Sequence, residues 1–115
     1  MMTKDEILNL LRTNDKAVIR ALLVLMANQT SDERDSETTR HHNGEGFRAC
    51  HARMGTSMAK QINERGFLSP KQIAYWRREG KEGMRIGIYW RQLAEAAERK
   101  AKVKAYEAAM KMETV

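Results

Sequence analysis

Eight side chains between Lys60 and Arg91 have the types and spacing to hold phosphate and read a base. They are Lys60, Lys71, Gln72, Tyr75, Arg77, Arg78, Arg85 and Arg91. Lysine and arginine neutralise phosphates and release the counterions condensed on them. Gln72 is suited to the edge of an adenine in a major groove, and Tyr75 offers a stacking face or a phosphate donor. Trp76-Arg77-Arg78, Arg85 and Tyr89-Trp90-Arg91-Gln92 also interleave aromatic rings with guanidiniums. That pattern suits a single strand, where each stacked base is worth roughly 1–3 kcal/mol. The competing reading places Trp76, Tyr89 and Trp90 in the core. For each tryptophan the core reading is preferred; for Arg77, Arg78, Arg85 and Arg91 as a group, binding is preferred.

Other chemistry finds little support in the residue types. His41, His42, Cys50 and His51 are metal-ligating types, but adjacent histidines diverge and no second cysteine completes a familiar zinc pair. Cys50 reads better as a small residue on an apolar stripe. A Cys50-His51 dyad fails because neighbouring helical side chains do not face each other. Asp32, Glu33, Asp35 and Glu37 read as a solvated charge run, and no glycine belongs to a phosphate-binding loop with its lysine. The expectation is a protein that is not an enzyme and carries no metal or cofactor.

Short helices must position the basic residues. Residues 4–12 form an amphipathic pattern, and Thr13-Asn14-Asp15 provides a break and a new N-cap. The spacing predicts a second helix over 15–29, apolar on more than one stripe through Val18, Ile19, Leu22, Leu23, Leu25 and Met26, and hence a buried axis. Residues 30–42 lack a large apolar side chain; a mobile loop is preferred to a solvated helical extension. Asn43-Gly44-Glu45-Gly46-Phe47 marks a turn. A third helix follows from near Arg48 to Arg65, with Phe47, Cys50, Met54, Met58 and Ile62 as its inward stripe.

Gly66 is placed to end that helix, with Phe67 and Leu68 plugging the corner. Ser69 and Pro70 open the next helix, expected to run to about Glu79. It places Ile73 and Trp76 or Arg77 on one side, and Lys71, Gln72, Tyr75 and Arg78 toward another. The corner has helix–turn–helix character, although its link looks longer than the usual three or four residues. An ordinary helical corner with basic flanks is the alternative. Gly80 and Gly83 punctuate a loop, and a final helix is expected from about Arg85 to Met112, with 98–115 as a projecting end able to pair with another copy.

At 115 residues the chain is read as one domain, 1–115, an all-α bundle of four or five helices. Its net charge of +6 is uneven. Residues 60–104 hold twelve Lys and Arg against five Asp and Glu, whereas residues 1–46 hold six against eight. A concentrated positive field attracts polyanions. One cysteine, no leader pattern and no apolar run approaching the roughly 20 residues that span a bilayer point to a soluble cytoplasmic protein without membrane contact.

Between Asn14 and Leu93 the chain resembles small, poorly characterised proteins of bacteriophages and mobile elements. The likeness rests on Asn14-Asp15-Lys16-Ala17, Arg20-Ala21-Leu22, Gln29-Thr30-Ser31-Asp32-Glu33, Asn43-Gly44-Glu45-Gly46-Phe47, Ser57-Met58-Ala59-Lys60-Gln61, Leu68-Ser69-Pro70-Lys71-Gln72 and Tyr89-Trp90-Arg91-Gln92-Leu93. His51-Ala52, where such segments often have Asp-Ala, and the extra glycines between Arg78 and Tyr89 depart from it. Similar segments accompany helicase-like and other DNA-processing regions. The resemblance therefore implies a role around phage DNA, in the host cytoplasm. Together with the charge it makes non-catalytic nucleic-acid binding, DNA ahead of RNA, the first expectation. The rival is a phage module that inhibits or recruits a host enzyme through the acidic 31–37 segment and the alanine-rich last helix.

Overall fold

The computed structural model describes residues 2–39 and 46–100, with side chains described for all of these but 30–39. The chain is an all-α domain with one very small sheet. Its elements are α1 (Lys4–Thr13), α2 (Asp15–Thr39), α3 (Ala49–Arg65), α4 (Pro70–Arg77), strands β1 (Glu79–Gly80) and β2 (Gly83–Met84), a 3-10 turn (Ile86–Tyr89) and α5 (90–100).

The first two helices form for the local reasons their sequence suggests. Thr3 caps α1 by accepting the Glu6 N–H at 3.2 Å, and Asp5 and Glu6 sit where the helix dipole favours acids. Asn14 ends α1 through its own N–H to Leu10, and its side chain accepts from Lys16 to open α2. One residue thus separates two helices. In α2, Val18, Leu22 and Leu25 are wholly buried, as an axial helix requires.

α2 does not stop near Gln29. It continues to Thr39 through the residues expected to be a loop, while 40–42 lie outside the described residues. No glycine or proline falls between Asp15 and Thr39. Extending an existing helix needs only one hydrogen bond per residue fixed, so a polar sequence suffices once the buried half has nucleated it.

Gly46 and Phe47 fasten the long connection between α2 and α3. Gly46 has φ +90°, and a Cβ there would stand 2.5 Å from Gln29 Cβ and 2.7 Å from its Cα. Its N–H donates to Gln92 Oε1 at 2.7 Å and its carbonyl accepts from Gln92 Nε2 at 3.2 Å, so one amide side chain holds both backbone groups. Asn28 donates to the same Gln92 oxygen. Phe47 then enters the core 5.9 Å from the Trp76 ring and edge-on to Tyr89 at 6.1 Å.

The inward face of α3 is displaced from the expected one. Phe47, Met58 and Ile62 are buried, but Cys50 is exposed and Met54 is 42% exposed. Their places are taken by half-buried His51 and by buried Gly55 and Ala59. The cause is Gly55, whose missing side chain leaves the room that the Phe47 ring occupies.

At the corner, Gly66 adopts a left-handed conformation and donates to Ile62 O at 2.7 Å. Only Gly66–Ser69 intervene between α3 and α4, so the link has four residues, within the usual helix–turn–helix length. Leu68 plugs the corner; Phe67 does not, being 54% exposed. Ser69 and Gln72 form a capping box with Pro70 at the first turn. Ile73 and Trp76 face inward, and Trp76, wholly buried, donates its indole N–H to Met58 Sδ.

α4 ends at Arg77 because the chain turns into a hairpin rather than the expected loop. Glu79 pairs with Met84 and Gly80 with Gly83 across the turn Lys81-Glu82. The Arg85 N–H to Arg78 O, 2.9 Å, prolongs the ladder. The last helix therefore opens later than Arg85. Leu8 of α1 packs against Gly87, and the backbone passes through the 3-10 turn before α5 begins at residue 90. Residues 101–115, which include most of the expected projecting end, lie outside the described residues.

Candidate nucleic-acid interface

The hairpin, the N-terminus of α3 and the end of α4 enclose a cleft of about 400 Å³. Arg48, His51, Arg78, Glu79, Lys81, Glu82 and Arg85 are among its lining residues. His51 lies in the first turn of α3, and element boundaries place the others. Arg48 is the N-cap of α3, Arg78 the C-cap of α4, Lys81 and Glu82 the hairpin turn, and Arg85 follows β2.

Tyr89 supports one wall from behind. Its hydroxyl accepts the Arg48 N–H at 3.0 Å and lies 2.6 Å from His51 Nδ1. Burial raises the Tyr89 pKa, only partly opposed by the bond from Arg48, so the phenol keeps its proton. Burial, then the charges of Arg85 and Arg48, lower the His51 pKa. The Tyr89 hydroxyl and His51 Nδ1 thus share one hydrogen bond, beside the one that the hydroxyl accepts from Arg48. The His51 ring also stands edge-on to Trp76 at 5.6 Å.

Arg85 is fixed by two contacts. Nη1 donates to Tyr75 O at 2.7 Å, and the guanidinium carbon lies 3.9 Å from the centre of the Tyr75 ring. Of the carboxylates in the cleft, Glu82 pairs with Arg48, and Glu79 pairs with Arg12 at 3.4 Å. Among the described residues, no carboxylate pairs with Arg78, Lys81 or Arg85. The cleft thus keeps three cations whose charge is not cancelled by a direct ion pair.

The eight residues singled out in the sequence do not form one surface. Arg78 and Arg85 meet in the cleft, with Tyr75 beneath Arg85. Arg77 points elsewhere: Nε donates to Leu11 O at 2.8 Å and Nη1 pairs with Asp15 at 2.8 Å, clamping the end of α1 to α4. Its Nη2 is buried without a hydrogen-bond partner. Gln72 accepts the Ser69 N–H in the capping box and exchanges two amide bonds with Gln61, 2.8 and 2.9 Å, so its polar groups serve the corner. Lys60 and Lys71 are exposed near that corner and do not line the cleft. Arg91 is exposed on α5, 5.6 Å from the half-buried Trp90 ring, which Lys4 also approaches at 5.7 Å.

Arg48, His51 and Lys81 were missed by sequence reasoning. Arg48 directly follows the Gly46-Phe47 turn, and Lys81 lies between Gly80 and Gly83, so both positions carry a local turn signal. Their meeting depends on tertiary packing. Cys50 borders the same cleft as an exposed free thiol. No group of three or more His, Cys, Asp and Glu gathers among the described residues, and His41 and His42 lie outside them. No helix among the described residues is long and apolar enough to cross a membrane.

Comparison with protein-family models, curated proteins and solved structures finds no match for this chain.

Proposed function

We propose that this protein binds nucleic acid through its phosphates, without catalysis and without reading bases. The observation that carries the proposal is the cleft in which Arg78, Lys81 and Arg85 converge while the neighbouring acids pair with other arginines. Three cations in one concavity, of which Arg85 is held in place by Tyr75, favour a chain of phosphates over a single carboxylate. Base readout has little left to work with. Gln72 is engaged by Ser69 and Gln61, the Tyr75 face is covered by Arg85, and Trp76 is wholly buried.

The biological setting follows the resemblance to phage and mobile-element proteins: an accessory role in DNA metabolism in the host cytoplasm, with DNA preferred to RNA. Binding of the full chain to single- and double-stranded DNA and RNA, titrated with salt, tests this reading. Measurable binding to DNA, with a salt dependence that weakens when the cleft cations are removed, is the expected result. Absence of binding to all four forms at low salt would overturn it.

A further inference from the structure

A second concavity, of about 460 Å³, lies between α1, α2 and α5, and shares no lining residue with the basic cleft. Its walls are mostly aliphatic, among them Leu10, Leu23, Val24 and Ala97. Leu10 is 39% exposed there, although it belongs to a helix whose Ile7 and Leu11 are buried. Arg20 and Lys100 are the charged residues among those that line the groove, and both are exposed. An apolar trough between helices with a cation-bearing rim suits the apolar face of another helix.

We propose that this groove docks an amphipathic helix of a different protein, one with apolar side chains at i, i+3 or i+4 and i+7, flanked by Asp or Glu. Charge complementarity selects this occupant. A second copy docked groove to groove offers no carboxylate to Arg20 and Lys100, because the groove lining contains no Asp or Glu. The chain's own residues 101–115 carry Lys102, Lys104 and Lys111 against Glu107 and Glu113, so they bring more cations than acids to the rim. An acid-flanked helix instead meets both rim cations while its apolar side chains enter the trough. This proposal is independent of the nucleic-acid reading, since the two surfaces have no residue in common.

The test is selection of helical peptides, randomised on one face, against the full chain, followed by titration of the enriched peptides. The expected winners carry apolar residues at the stated spacing with acidic flanks. They should bind the Leu10→Glu and Arg20→Glu variants at least about tenfold more weakly, and an Arg78→Ala/Lys81→Ala variant unchanged. Leu10 and Arg20 are exposed enough for both variants to fold, and circular dichroism verifies this. The proposal is overturned if nothing is enriched, or if the winners have basic or neutral flanks. It is equally overturned if binding is lost in the Arg78/Lys81 variant but not in the groove variants. A self-association that Leu10→Glu abolishes would assign the groove to a second copy and overturn it as well.

Discussion

Replacing Arg78 and Lys81 together with alanine removes two of the three cleft cations that lack a carboxylate partner. Both side chains are exposed, so the fold should tolerate the change. If each cation neutralises one phosphate, the logarithm of affinity for duplex DNA falls with the logarithm of salt at a slope of about −2.7 for three contacts. Raising salt from about 50 to about 200 mM then weakens binding roughly 40-fold. The double variant keeps only Arg85, for which the slope is about −0.9 and the loss over the same range about threefold to fourfold. Fluorescence anisotropy of a labelled duplex across a salt series measures both slopes. A variant that binds DNA with the original slope would falsify the assignment of phosphate contacts to this cleft. A wild-type slope much steeper than −2.7 would show that cations outside the cleft, Lys60 and Lys71 among them, also touch the backbone.

Four further expectations concern residues that hold the fold together. Gly46→Ala should lower stability by at least about 1–2 kcal/mol, because a Cβ is disfavoured at positive φ and also meets the Gln29 backbone; an unchanged urea midpoint would refute the packing described. Gln72→Ala should lose roughly 0.5–1.5 kcal/mol, because Ser69 still caps the helix while the Ser69 N–H and Gln61 lose their partner, yet leave DNA affinity unaltered, and weakened binding by a folded variant would restore Gln72 as a base reader. Tyr89→Phe should cost about 1–3 kcal/mol, since the half-buried Arg48 N–H and His51 Nδ1 lose their shared partner. The depressed His51 pKa also sets a pH dependence. Well above the ordinary value of about 6.5 the imidazole is neutral whether folded or unfolded, and as pH falls from there through the lowered folded value the unfolded chain takes up the proton first, which favours it. Stability should therefore decline on the acid side of that window, and a His51→Gln variant should flatten this part of the curve; an identical decline in the variant would exclude His51 as its source.

What could be read from the sequence was mostly what a residue does to its own neighbourhood. Thr3, Asn14, Gly66, Ser69 and Pro70 act within one turn of themselves, and each ends or begins a helix where its chemistry requires. The burial of Val18, Leu22, Leu25, Ile73 and Trp76 likewise follows from spacing. The face of α3 could not be read that way, because it is set by the fit of Phe47 onto Gly55 rather than by the apolar pattern, which favoured Cys50 and Met54. The hairpin was equally hidden. Its strands have two residues each and present no alternation to detect.

The basic residues show why composition located a charged half but not a site. Arginine carries five donors in a fixed fork, and what it can bind depends on how many the protein already uses. Arg77 gives one donor to a carbonyl sixty-six residues away and another to Asp15, so it holds α1 to α4. Arg78, its neighbour in sequence, caps the same helix and faces the cleft with no carboxylate partner among the described residues. Arg85 lies between these cases, fixed by Tyr75 on one side yet without an opposing carboxylate. Such differences arise from residues far along the chain, and no local pattern encodes them. A rigid cation also gives up less freedom on binding than a solvated one. On the proposed reading, Arg85, already ordered by Tyr75, is the residue around which a phosphate contact would be organised, with Arg78 and Lys81 extending it to neighbouring phosphates.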